Sequence, residues 1–119
     1  MKKLLLVTLL FLTGCTTLVK LLPKQYDPVM GDLFVGLKIE INDLSCKEET
    51  IPEKWKIASF DAHKLAEYSK FRKDPQADNA ESIEKNLNSA YNKSPAVCDN
   101  FLKIAKLRLD VLNTAWSGR

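Results

Sequence analysis

The stretch Asp27-Pro28-Val29-Met30-Gly31-Asp32-Leu33-Phe34-Val35-Gly36-Leu37-Lys38-Ile39-Glu40-Ile41-Asn42-Asp43-Leu44 admits two readings, and the choice between them sets the fold class. Val35, Leu37, Ile39 and Ile41 alternate with Gly36, Lys38 and Glu40, the two-residue period of a strand. Leu33, Leu37, Ile41 and Leu44 also recur every three or four residues, the period of a helix face. Gly31 and Gly36 weaken a helix by about 1 kcal/mol each. Asp27-Pro28 outweighs them: an aspartate placed to cap, then a proline suited to the first helical turn. A strand here would also need a partner for its backbone groups, and the sequence offers none. The reading is therefore a helix.

The same punctuation recurs downstream. Thr50-Ile51-Pro52-Glu53 has the form of a capping box, with Thr50 as cap and Glu53 reaching back. Asp74-Pro75 and Ser94-Pro95 repeat the Asp27-Pro28 device, and Asp78 to Glu81 offers a second, slightly later start for the third helix. Apolar spacing agrees. Trp55, Ala58, Ala62 and Leu65 form the second stripe, widened by Ile57, Phe60 and Phe71; Ala80, Ile83, Leu87 and Tyr91 form a narrow third one. Cys98, Phe101, Ala105, Leu109, Leu112 and Trp116 make a fourth, flanked by Ile104, Leu107 and Val111, with Gly118 suited to its end. So wide an apolar arc predicts that the last helix is the most buried. The expectation is an all-α, four-helix domain over residues 27–119, with short connections.

The first residues follow another grammar. Lys2 and Lys3 precede an apolar run, Leu4 to Leu12, broken only by Thr8. The run falls short of the roughly 20 residues a spanning helix needs, and has the plan of a secretory signal. Leu12-Thr13-Gly14-Cys15 follows and resembles the bacterial lipobox, Leu-small-small-Cys, matching at every position. The resemblance is to bacterial lipoproteins and covers only about the first 15 residues. It implies that residues 1–14 are a signal peptide and that Cys15 carries a diacylglyceryl thioether, with acyl chains such as palmitate. Residues 15–26 then form a tether whose Leu18, Val19, Leu21 and Leu22 lie either in the membrane interface or under the domain. In enterobacterial-type lipoproteins an Asp after the lipidated cysteine favours inner-membrane retention. Thr16 stands there, so the resemblance implies the inner leaflet of the outer membrane, facing the periplasm.

Charge and cysteines narrow the function. Losing residues 1–14 removes Lys2 and Lys3 from 18 basic side chains against 15 acidic ones, which leaves a formal charge near neutrality and no basic stripe for nucleic acid. With Cys15 lipidated, Cys46 and Cys98 remain as an even pair. In an oxidising compartment such a pair is expected to be a disulfide. The alternative is a metal or redox pair. It lacks a Cys-x-x-Cys motif, and only His63 could join it.

Nothing in the sequence assembles a nucleophile, a base and an orienting group. His63 is the only histidine. Asp61, two residues before it, points to a different helix face. Glu48 and Glu49 read as an acidic linker. No phosphate loop, zinc motif or calcium loop occurs, so no cofactor and no metal are expected. Tyr68, Phe71 and Arg72 are the candidate partner contacts, because aromatic and Arg side chains carry much interface energy; packing in the core is their alternative. The expected function is a lipid-anchored helical module, not an enzyme. It would bind an envelope or periplasmic protein, in the manner of exclusion or inhibition lipoproteins of phages and mobile elements, an analogy of size and plan only. A spanin-like envelope-disrupting role is the alternative, and a small-ligand carrier or enzyme ranks last.

Overall fold

The computed structural model describes residues 27–47 and 52–117. Cys15, the signal peptide, the tether, Glu48, Glu49, Thr50 and Gly118 lie outside these residues. Four helices account for the described chain, and no strand occurs among its residues: α1 (Pro28–Asn42), α2 (Pro52–Phe71), α3 (Ala77–Ala90) and α4 (Pro95–Trp116).

The ambiguous first stretch is α1. Asp27 Oδ1 accepts from the backbone N–H groups of Val29 and Met30, at 3.0 and 3.3 Å, and satisfies two of the donors that a helix start leaves open. A strand would place Val35, Leu37, Ile39 and Ile41 on one face. The helix separates them: Leu37 and Ile41 are buried, whereas Val35 and Ile39 are exposed.

The helices alternate up and down. Asp27 meets Tyr68 and Arg72 while Asp43 meets Lys54, so α1 and α2 are antiparallel. His63 with Glu84 and Lys70 with Glu81 set α2 against α3 in the same sense. Asn79 with Arg108 does so for α3 and α4, and Phe34 with Trp116 and Cys46 with Cys98 for α1 and α4. Each helix packs on its chain neighbours, and α1 closes the ring against α4 along the thinnest of the four seams. Met30, Phe34, Leu37, Ile41, Leu65, Ile83, Leu87, Leu109 and Leu112 fill the centre. Small Ala58, Ala62, Ala66, Ala80 and Ala105, all buried, let the helices approach closely.

Two fastenings hold the thin seam. At one end Cys46 and Cys98 form a disulfide, with Cα atoms 5.8 Å apart. At the other, Phe34 and Trp116 pack edge to face, ring centroids 5.7 Å apart, an arrangement that suits the ring quadrupoles.

Several sequence expectations need correction. Asp74 does not cap α3, whose N-cap is Gln76, and Pro75 lies outside the helix. Buried Asp74 instead accepts from the Gln76 N–H at 2.8 Å and from the indole N–H of Trp116 at 3.1 Å. Ser94 precedes α4 without a side-chain capping bond. Phe60 and Phe71 do not widen the buried face of α2, being 65% and 82% exposed. Leu107 and Val111 are also exposed, so only one stripe of α4 is core, with Leu102 added to it. Each apolar face is set by the two neighbouring helices, and a ring of four offers no third neighbour for a wider arc.

Candidate functional site

Two surface features have defined chemistry, and they lie toward opposite ends of the bundle. The first is an open groove of about 460 Å³ between α2 and α3. Its walls come from one turn after another of both helices. Trp55, Ser59 and His63 succeed each other at four-residue spacing on α2, and Glu84, Leu87, Asn88 and Tyr91 follow at three- and four-residue steps along α3 and its end. Trp55 and Tyr91 close the end nearer the disulfide, their rings 6.1 Å apart and tilted by 47°. Phe60 forms an exposed apolar lip beside Lys56.

Polar groups line the rest. His63 Nδ1 lies 3.1 Å from Glu84 Oε2, which fixes the ring orientation across the groove. Ser59 Oγ donates to Asn88 Oδ1. Ser59, His63 and Glu84 are the residue types of an acyl-transfer triad, but the serine proton points to the Asn88 amide and not to the imidazole. The arrangement therefore lacks the nucleophile–base hydrogen bond that such chemistry requires. What it presents is an aromatic trough with hydrogen-bonding groups on both rims.

The second feature is the end at which the chain enters α1. Asp27, with its side chain only 7% exposed, accepts from Tyr68 Oη at 2.7 Å and is ion-paired with Arg72, whose Nε lies 3.1 Å away. The Tyr68 hydrogen bond, then the backbone N–H groups of Met30 and Val29 and the Arg72 charge, hold the Asp27 carboxyl below its ordinary value against the opposing effect of burial. The same bond, with burial and the Asp27 charge, raises the Tyr68 hydroxyl. Of the three residues singled out in the sequence, Tyr68 and Arg72 thus hold the start of α1. Phe71, its ring 6.4 Å from that of Tyr68, projects into solvent. Lys73, at φ 53°, turns the chain after α2 beside it.

The structure brings Cys46 and Cys98 together as the sequence leads one to expect. His63 is exposed, as read, but its pairing with Glu84 and the groove around it went unread. Ser59 and His63 on α2, with Glu84 and Asn88 on α3, each pair four apart, carry the only signal for it: polar side chains at helical spacing on the flanks of two apolar stripes. Among the described residues no three His, Cys, Asp or Glu side chains cluster to hold a metal, and no helix is long and apolar enough to cross a membrane. No family model, curated protein or solved structure matches the chain.

Proposed function

We propose that the chain is a bacterial lipoprotein, anchored through lipid on Cys15, whose bundle binds a protein of the cell envelope through the α2–α3 groove. The observation that carries the binding role is the groove itself: Trp55, Phe60 and Tyr91 around a trough rimmed by His63, Glu84 and Asn88, on a bundle closed by a disulfide. A trough open along its length suits a segment of protein chain, with one apolar side chain seated among the aromatic rings, better than it suits an enclosed small molecule. Anchoring supports the reading, because a tether raises the local concentration of a partner on the same membrane and lets modest affinity suffice. With Thr16 after the lipidated cysteine, the reading places the domain in the periplasm, on the inner leaflet of the outer membrane. Its effect on the partner would be exclusion or inhibition by occupancy.

Site-specific photo-crosslinking in the host tests this. A crosslinker at Lys56, beside the groove, should give one discrete protein adduct that Phe60→Ala abolishes. The same group at Lys103, on the exposed side of α4, should not give it. Identical adducts from both positions, or an adduct indifferent to Phe60→Ala, would remove the groove as the binding site. Loss of fatty-acid labelling in Cys15→Ser tests the anchor separately.

A further inference from the structure

The clamp on Asp27 fixes where the preceding chain leaves the bundle. Residue 26 is bonded to a residue that Tyr68 and Arg72 hold against the last turn of α2, so the tether departs from the end that carries Phe71, Lys73 and the end of α4. That end presents Phe71, the most exposed large apolar side chain among the described residues, and Val29, half exposed in the first turn of α1. Two of its carboxylates are engaged, Asp27 by Tyr68 and Arg72 and buried Asp74 by Trp116, while Asp32 and Asp78 stay exposed at its edge. Exposed Lys73 lies beside Phe71, and the sequence adds Lys20 and Lys24 just before α1.

We propose that this end of the bundle rests on the bilayer, with Phe71 at the headgroup–acyl boundary and Lys73 among the headgroups. The inference builds on the lipid anchor argued above. The 12 residues from Cys15 to Tyr26 reach at most about 40 Å when fully extended, so the anchor keeps this end within reach of the membrane. A projecting aromatic ring beside a lysine, at the end from which the anchored chain leaves, has the chemistry of an interfacial contact. The groove, whose aromatic end lies near the disulfide, is then held away from the bilayer.

The lipidated chain reconstituted in vesicles of phosphatidylethanolamine and phosphatidylglycerol tests the contact. A nitroxide is placed through Val29→Cys at the proposed contact and, in a second protein, through Lys93→Cys in the turn between α3 and α4 at the opposite end. Flotation of the vesicles reads the anchor, and collision with a water-soluble nickel chelate reads the contact. The expected result is flotation with several-fold less chelate access at position 29 than at position 93. Phe71→Asp should raise access at 29 to the level of 93 while flotation persists; the exposure of Phe71 makes this variant safe for folding. Flotation with equal access at both positions overturns the membrane contact and leaves the anchor standing. Failure to float overturns both.

Discussion

Removing the Cys46–Cys98 bridge should destabilise the domain more than any other change that leaves the core intact. The cysteines are 52 residues apart in sequence. A loop of that length, closed in the unfolded chain, lowers its entropy enough to stabilise the native state by about 4 kcal/mol. Little else compensates at this end, since α1 and α4 share the thinnest seam of the ring. Replacing both residues by alanine avoids leaving a hydroxyl at the buried Cys98 position. The chain from residue 16, expressed without lipid and with or without Cys46→Ala/Cys98→Ala, is melted and followed by circular dichroism at the helix band. At about 4–8 °C per kcal/mol for a domain of this size, the melting temperature should fall by roughly 15–30 °C. Wild type treated with reductant should shift by a similar amount. A loss below about 1 kcal/mol in both, with the bridge verified by thiol alkylation in the oxidised protein, would refute the loop-entropy argument.

Gly36→Ala should stabilise the domain by about 0.5–1 kcal/mol, because a Cβ there meets nothing within 4 Å in the middle of α1; urea midpoints of the two proteins check it. Trp116→Phe keeps a ring against Phe34 but leaves Asp74 without the indole N–H, and should cost about 1–3 kcal/mol by the same measurement. Glu40 faces Asp61 across the α1–α2 seam. Burial, the hydrogen bond to Asp61 and its charge raise the Glu40 carboxyl from 4.5 to about 7. The folded state therefore keeps a proton that the unfolded chain releases at lower pH, and stability should fall as pH rises from about 4.5 to about 7. Glu40 is only partly buried, so the fall should be about 1–2 kcal/mol. Glu40→Gln should flatten this part of the pH–stability curve, and an unchanged slope in that variant would exclude Glu40 as its source.

Where the determinants are local, the sequence is readable. Asp27-Pro28 marks the start of α1 because capping acts within three residues, and Leu37 and Ile41 lie on the buried face because helical period is a local property. Once the lipobox resemblance sets Cys15 aside, the two remaining cysteines point to the disulfide without any geometry. Non-local pairings are not readable in the same way. Asp74 resembles a cap until Trp116, 42 residues later, arrives to donate to it. Phe60 and Phe71 extend an apolar stripe in sequence, yet only the positions of α1 and α3 decide that they remain outside. The groove depends on His63 meeting Glu84 and Ser59 meeting Asn88 across a helix pair, and no spacing within α2 alone announces it.

The disulfide also governs how the domain carries load. A pull applied through residue 26 acts first on Asp27, where Tyr68 and Arg72 resist in parallel with the first turn of α1. Once that latch yields, α1 can be peeled from its neighbours residue by residue. The peeling stops at Cys46, because the covalent link transfers the load to α4. The slack released before that stop is the contour length of residues 27–46, about 70 Å. The chain between Cys46 and Cys98, which contains α2, α3 and both walls of the groove, lies behind the link and is not paid out under tension. In a single-molecule stretching trace the intact bridge should therefore limit extension from the tether side to that one short step.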